Sequence, residues 1–268
     1  MMRLLRRLFT TALVLGVLWI VLLAVVGELG GRWLALRIRT QVADALGAQV
    51  RLGGVDLGLV RGRFELAELE IERKDLGSMR LLVHEAVLEA APLGMAMLHR
   101  DRADSLRLRG VRVELSSWAV LAPPPGRERS FALGRVELID CKVTLAPTLL
   151  LPKVGAVTLE IQRAVSGATN LRSAASWFLS LQQLDATASF PGGTQVKVAF
   201  RAAPGGGGKL VLTSSLLGGE LSIPVTLPSA ASIREAADET AALRALVGQV
   251  AREIGKRKAV QALERLVR

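Results

Sequence analysis

The stretch Leu106-Arg-Leu-Arg-Gly-Val-Arg-Val-Glu-Leu115 alternates apolar and polar residues and contains one irregularity. Leu106 and Leu108 are two residues apart, but the next apolar residue, Val111, follows after three. Alternation by two is the signal of a β-strand with one apolar face. A step of three keeps that face apolar only if an extra residue is accommodated, as in a bulge or bend. The stretch therefore predicts a strand that is interrupted near Arg109-Gly110 and continues with the same side apolar.

Three other segments, at 50–59, 64–71 and 136–145, repeat this pattern. Because 50% of the chain is hydrophobic, one match would carry little weight, whereas four in similar phase predict neighbouring strands that share one apolar face. The apolar positions of the four segments are Val50, Leu52, Val55, Leu57, Leu59, Phe64, Leu66, Leu69, Ile71, Leu106, Leu108, Val111, Val113, Leu115, Val136, Leu138, Cys141, Val143 and Leu145.

Further strands are predicted at 156–162, 182–190, 194–202, 209–215 and 220–227. Their separators are rich in turn residues, notably Pro191-Gly-Gly193 and the glycine run after Pro204. The proline-rich stretch 122–126 reads as a stiff surface connection. Residues 49–228 are therefore expected to form one mostly β domain.

An uncharged run from Leu8 to Gly27 precedes this domain, and Arg3, Arg6 and Arg7 precede the run. Twenty helical residues at about 1.5 Å each match the roughly 30 Å of a bilayer's hydrocarbon core. A cleavable signal peptide has a shorter apolar core and a small-residue cleavage site, neither of which is found here. We expect an uncleaved anchor in residues 1–28, with a cytoplasmic N-terminus by the positive-inside rule and the rest of the chain exported.

Residues 29–48 and 229–268 have helical periodicity. The first stretch repeats Leu34, Ile38, Val42 and Leu46 every four residues and predicts a juxtamembrane helix. The second carries an apolar stripe from Ile233 to Ile254, and Gly255 is expected to kink or end that helix before a basic tail. Two interpretations of the second helix remain open: it docks on the sheet, or its basic face contacts a membrane surface.

The charge balance of +11, with 35 Lys+Arg against 24 Asp+Glu, would suit an anionic lipid surface or nucleic acid. No basic stripe is interleaved with aromatic residues, and the chain has no Tyr, so nucleic acid is not an expected partner. The single cysteine, Cys141, lies within a strand pattern and is expected to be a packed thiol.

No sequence motif for nucleotide binding, for a catalytic serine or for a zinc protease occurs in the chain. The two histidines, His84 and His99, have no carboxylate and Ser/Cys pattern around them. Four carboxylates, Glu65, Glu68, Glu70 and Glu72, alternate with apolar residues and are expected on a solvated face. We therefore expect no enzyme, no catalytic residue, no cofactor and no metal site.

The order of elements, with the segments Gly47-Ala-Gln-Val-Arg-Leu-Gly-Gly-Val-Asp-Leu57 and Gly62-Arg-Phe-Glu-Leu-Ala-Glu-Leu-Glu-Ile71, resembles the start of the bacterial AsmA-like family, relatives of the bridge-like lipid-transfer proteins. Segments 106–115 and 133–145 resemble the recurring strand motif of that family. The resemblance covers about residues 1–145.

This resemblance implies a curved, mostly antiparallel, taco-like sheet whose apolar lining holds phospholipid acyl chains. It also implies a single-pass inner-membrane anchor, a periplasmic domain, and a role in phospholipid transport or envelope maintenance. The expected lipid-binding residues are the apolar positions of the four segments other than Leu59 and Cys141. Some ten strands give a groove of only roughly 50 Å, so a bridge would need copies in series or a longer envelope partner. The alternative is a non-enzymatic structural or assembly factor that recruits an envelope complex, with the C-terminal helix covering the apolar face.

Overall fold

The computed structural model describes residues 30–31, 35–36, 39–40, 43, 48–58, 62–73, 78–90, 102–116, 132–146, 155–170, 174–204, 207–226, 241–242, 245–246 and 248–257. Within these ranges twelve strands form one sheet. The strands are β1 (Gln49–Gly58), β2 (Arg63–Arg73), β3 (Met79–Glu89), β4 (Arg102–Arg109), β5 (Arg112–Leu115), β6 (Ala132–Leu145), β7 (Val157–Ser166), β8 (Thr169–Asn170), β9 (Leu181–Ser189), β10 (Gln195–Ala202), β11 (Gly207–Ser214) and β12 (Gly219–Thr226). The mostly β character predicted from the sequence is confirmed.

The strand order is β1-β2-β3-β4-β6-β7-β9-β10-β11-β12, so most neighbours in space are neighbours in sequence. β5 continues the line of β4 beyond Gly110 and pairs with β3 and β6, and β8 pairs with β6. The expectation of an antiparallel sheet is wrong at one place, because β6 runs parallel to both β4 and β5. Ala132 at the start of β6 pairs with Arg102 at the start of β4, so β6 repeats the direction of β4 and β5. The sheet is therefore mixed.

The steps of three in the sequence correspond to a line of irregular backbone that we call the crease. Glu68 (φ 52°), Gly110 (φ 63°) and Asp140 (φ 53°) are left-handed, and each lies between two apolar residues that are three apart. In β1 the step falls at Gly53, where a Cβ atom would be 3.0 Å from the Cβ of Glu68. An extra residue is thus accommodated at each predicted step, and the apolar residues on both sides of it stay on one face.

The crease continues into two strands where the sequence analysis did not identify it. In β3 the register passes from Leu69–Val83 to Ala67–Glu85, which skips His84. In β7 a register shift falls between Ile161 and Arg163. From β9 to β12 the pairing is continuous, so the crease spans β1 to β7.

Helices contact the sheet at several positions. One short helix, α1 (Ala174–Leu179), precedes β9. The positions described between 30 and 43 are helical, and so are those described between 241 and 257. The second of these helices continues through Gly255 to Arg257, so Gly255 does not end it, and the alternative of a kink at Gly255 stays a prediction.

The predicted anchor from Leu8 to Gly27 lies outside the described residues, as do Leu59, His99 and the connection at 122–126. Within the ranges that the structure describes, no helix has the length and apolar character needed to cross a membrane.

Candidate functional site

One row of apolar residues crosses the sheet at right angles to the strands. Each member is the direct cross-strand partner of the next, so all of them point to the same side, which we call the apolar face. With strands about 4.8 Å apart, the row is roughly 45 Å long. Its members are Val55, Leu66, Ala86, Leu108, Leu138, Ala164, Leu184, Phe200, Leu210 and Ile223.

A second apolar row lies on the other side of the crease. Its members from β3 onward belong to the main buried cluster or pack against it. Leu69 of β2 also packs against this cluster, and Leu52 of β1 is the cross-strand partner of Leu69. The row consists of Leu52, Leu69, Val83, Val111, Cys141, Ile161, Ala186, Val198, Leu212 and Leu221. Because both rows share one side, the crease does not interrupt the apolar face.

The residues predicted from the four segments lie together on this face. Val50, Ile71, Val111, Leu115 and Val136 are buried. The others are half-buried: Leu52, Val55, Leu57, Phe64, Leu66, Leu69, Leu106, Leu108, Val113, Leu138, Val143 and Leu145. Two further clusters, one around Val50 and one around Val136, join the main cluster through shared neighbours such as Leu69 and Leu138. The face is thus continuous and partly covered.

Sequence reasoning missed the apolar face of β3 and part of it in β7 to β12. In β3 the face is formed by Met79, Leu81, Val83, Ala86 and Leu88, which have the same step of three as the other segments. That repeat could have been found, but Leu82 and Val87 on the opposite side hide the alternation.

Helical residues cover the two ends of the sheet. Gly31 is buried, and a Cβ atom there would lie 3.0 Å from the carbonyl oxygen of Val55 in β1. At the other end, Leu246, Val250 and Ile254 of the C-terminal helix pack against the main cluster. The described part of the predicted stripe therefore docks on the sheet.

The open edge of β12 is also occupied by this helix. Gln249 donates a hydrogen bond from Nε2 to the carbonyl oxygen of Pro224, at 2.8 Å. Pro224 has no N–H of its own, so this part of the edge offers neither a free donor nor a free acceptor to another strand.

The opposite, polar face carries a buried carboxylate among arginines. Glu137 of β6 is only 6% exposed. Arg163 donates to its Oε1 from Nε (3.1 Å) and Nη2 (2.7 Å), and Arg107 donates to its Oε2 from Nε (3.3 Å). Arg135 adds a third guanidinium, whose Nη2 lies 4.0 Å from the same Oε2. We call these four residues the arginine cluster.

Burial would raise the pKa of Glu137, but the hydrogen bonds and charges of Arg163, Arg107 and Arg135 outweigh burial, so the pKa lies below its ordinary value. A carboxylate with a lowered folded-state pKa stabilises the fold above its unfolded-state pKa, and that contribution is lost as the pH falls through the folded-state value. The arginine cluster should therefore stabilise the sheet at neutral pH and not in strong acid.

This gives the first prediction. Glu137→Gln should lower the free energy of unfolding by about 1–3 kcal/mol at pH 7, because three half-exposed guanidiniums lose their shared carboxylate. The difference from the unmodified chain should begin to shrink as the pH falls below the unfolded-state pKa of a glutamate, about 4.3, and should be lost as the pH passes through the lower folded-state pKa of Glu137. Urea unfolding of both proteins between pH 3 and pH 7 measures it. A difference that stays constant over this range would contradict the assignment.

The structure also describes other residues that the sequence analysis discussed as possible chemical groups. Cys141 is buried as predicted, and burial raises the pKa of its thiol. His84 is exposed on β3. Glu70, expected to be solvated, is half-buried and accepts two hydrogen bonds from Arg80. Within the described ranges, no group of three or more His, Cys, Asp or Glu residues could hold a metal ion.

Comparisons of the chain with protein-family models, with curated proteins and with solved structures gave no match.

Proposed function

We propose that this chain is a membrane-anchored periplasmic protein that binds phospholipid through the apolar face of its sheet. The observation that carries the proposal is the unbroken apolar row from Val55 to Ile223, of which most members in β1 to β6 are only half-buried. The resemblance of residues 1–145 to the AsmA-like family supports the same assignment, as does the uncharged run from Leu8 to Gly27.

An acyl chain is the occupant that suits such a face. Removing one methylene from water contributes about 0.8 kcal/mol, so a chain that buries about ten methylenes gains roughly 8 kcal/mol. The face offers apolar side chains, most of them branched aliphatic, at regular strand spacing over roughly 45 Å, without a charged residue in either row. This arrangement favours long, linear, apolar ligands over compact ones.

The same geometry limits how the protein takes part in transport. One sheet of roughly 45 Å is too short to be a bridge alone, so a longer envelope partner or copies in series are needed. Direct addition of a strand at β12 meets Pro224 and its bonded carbonyl group. We therefore propose that a partner contributes at β1 or displaces the C-terminal helix.

The test is the phospholipid content of the full-length protein. After purification in a mild non-ionic detergent, extraction and mass spectrometry should find phospholipid in excess of that carried by a fusion of residues 1–48 to an unrelated soluble domain. The fusion accounts for lipid that surrounds the anchor. Equal lipid content in the two proteins would overturn the proposal.

One observation favours a second function, that of a structural or assembly factor. Leu246, Val250 and Ile254 already cover part of the main cluster, as a docking helix would in a closed core. A lipid-free protein that stays folded, and that recovers an envelope complex when affinity-purified from membranes, would support this function instead.

A further inference from the structure

The polar face carries a pocket that the proposed lipid site does not use. It has a volume of about 330 Å³ and opens between β3, β4, β6 and β7. The arginine cluster lines it together with Glu89, Ser105 and Ile139, and Leu106, a residue of the apolar face, borders it within β4. Because Glu137 points to the opposite side from Leu138, this pocket and the apolar face lie on different sides of the sheet.

Cations outnumber anions in this pocket. Arg107, Arg135 and Arg163 face two carboxylates, and one of them, Glu89, already accepts a hydrogen bond from the hydroxyl of Ser105 at 2.7 Å. Just outside, Asp185 is held by Arg201 at 2.8 and 3.0 Å. The local excess of positive charge therefore belongs to the three arginines around Glu137.

Two of these arginines keep unused donors. Arg135 makes no hydrogen bond to any described residue, and its Nη2 lies 4.0 Å from Glu137 Oε2. Arg107 approaches the same oxygen through Nε alone, which leaves both of its Nη groups unbonded among the described residues. Both side chains are 53% exposed, so these N–H groups are accessible from the solvent.

Glu137 holds these donors in place. Its buried carboxylate is anchored by Arg163 on one oxygen and draws Arg107 and Arg135 to the other. Guanidinium groups have a planar fork of donors that fits the oxygens of a phosphate or carboxylate. The guanidinium groups of Arg107 and Arg135, held beside one buried carboxylate, are thus preorganised to bind a second, external anion.

We propose that this pocket binds a phosphate-type oxyanion through Arg135 and Arg107, with Glu137 as a positioning residue. The ligand is a phosphate group, either free or as the headgroup of a phospholipid. The site goes beyond the proposed function, since it needs neither the apolar face nor a bound acyl chain.

The experiment uses the full-length protein in non-ionic detergent micelles at low salt. Isothermal titration with inorganic phosphate, with glycerol 3-phosphate and with micelles doped with phosphatidylglycerol measures the dissociation constants. Arg135→Gln should weaken binding at least about tenfold, because it removes the cation with most unused donors. Arg112→Gln, a change of an exposed arginine on β5 outside the pocket, should change binding less than about twofold.

Three variants and three ligands make the result decisive. Arg135→Lys should bind with intermediate affinity, since it keeps the charge and loses the fork. If Arg135→Gln weakens the binding, binding of phosphatidylglycerol micelles alone identifies a lipid headgroup as the ligand of the pocket, and equal binding of inorganic phosphate identifies a free phosphate. Phosphatidylglycerol binding that Arg135→Gln leaves unchanged belongs to the apolar face and counts against the site. Equal affinities of Arg135→Gln and Arg112→Gln, with unchanged thermal unfolding, would overturn it. So would the absence of binding to all three ligands at about 10 mM, a concentration at which even weak oxyanion sites are occupied.

Discussion

Replacing Leu108 by Glu should leave the sheet folded and strip the protein of phospholipid. Leu108 is half-buried in the middle of the apolar row, between its cross-strand partners Ala86 and Leu138. A carboxylate at a position that is only partly buried reaches water, so it should cost about 2 kcal/mol of stability rather than the several required in a closed core. An acyl chain lying across it would bury the charge, so the phospholipid recovered per protein should fall at least about fivefold.

The size-matched control for this variant is Leu82→Glu. Leu82 is also half-buried, but it lies on the polar face of β3, where its cross-strand partners are Glu70 and Arg112. This change should leave the phospholipid content as it is in the unmodified protein. Val113→Glu, on the apolar face beyond the crease, should behave like Leu108→Glu.

The stability and lipid content of these variants distinguish three possibilities for the apolar face: it is open to acyl chains, it is a closed core, or it is not where the lipid binds. Loss of lipid with retained cooperative unfolding supports an apolar face that is open to acyl chains. Failure of Leu108→Glu to fold, together with a lipid-free unmodified protein, supports a closed core and the assembly function. Unchanged stability with unchanged lipid content would show that the lipid is held elsewhere.

Much of the sheet could be predicted because the strands keep one side apolar. The predicted strand at 194–202 is observed as Gln195–Ala202, and the one at 220–227 as Gly219–Thr226. The steps of three were visible because each moves the apolar pattern by one residue, and Glu68, Gly110 and Asp140 accommodate the extra residue in a left-handed conformation. Local sequence thus indicates the faces and, in β1, β2, β4–β5 and β6, the position of the crease.

β3 was not predicted, for a physical reason. Leu82 and Val87 lie on its polar side. The sequence therefore shows two continuous apolar runs, at 81–83 and 86–88, instead of the alternation of apolar and polar residues that indicates a strand. Val87 is only 2% exposed there, between its partners Glu65 and Arg107. Long charged side chains cover apolar surface with their stems, so the polar face can bury a valine without a signal in the pattern.

The parallel pairing and the arginine cluster depend on register, which the local pattern does not encode. β6 lies parallel beside β4 and β5, an order that the alternation within the three strands does not indicate. Arg107, Glu137 and Arg163 are 30 and 26 residues apart in sequence and occupy ordinary polar positions of three strands. Only the pairing of those strands shows that the carboxylate of Glu137 forms ion pairs with three guanidinium groups.

The crease itself gives the last prediction. Gly110→Ala should lower the free energy of unfolding by about 3 kcal/mol, from two additive causes. A left-handed conformation costs an L-residue about 1–2 kcal/mol, and Gly110 has φ 63°. In addition, the new Cβ atom would lie 2.8 Å from the Cβ of His84, so β3 would have to move away from the junction of β4 and β5.

Gly192→Ala isolates the first of these causes. Gly192 has φ 84° in the turn between β9 and β10, and a Cβ atom there meets nothing within 4 Å. This variant should therefore lose about 1 kcal/mol, from backbone conformation alone. Thermal unfolding of both variants in the same detergent measures the difference, which should be a few degrees in melting temperature per kcal/mol. If the two variants lose the same stability, the new Cβ atom at position 110 makes no unfavourable contact with His84. In that case β3 can move away from the β4–β5 junction without loss of stability. If Gly110→Ala loses the larger amount, contact between β3 and the β4–β5 junction holds the two halves of the apolar face in one continuous surface.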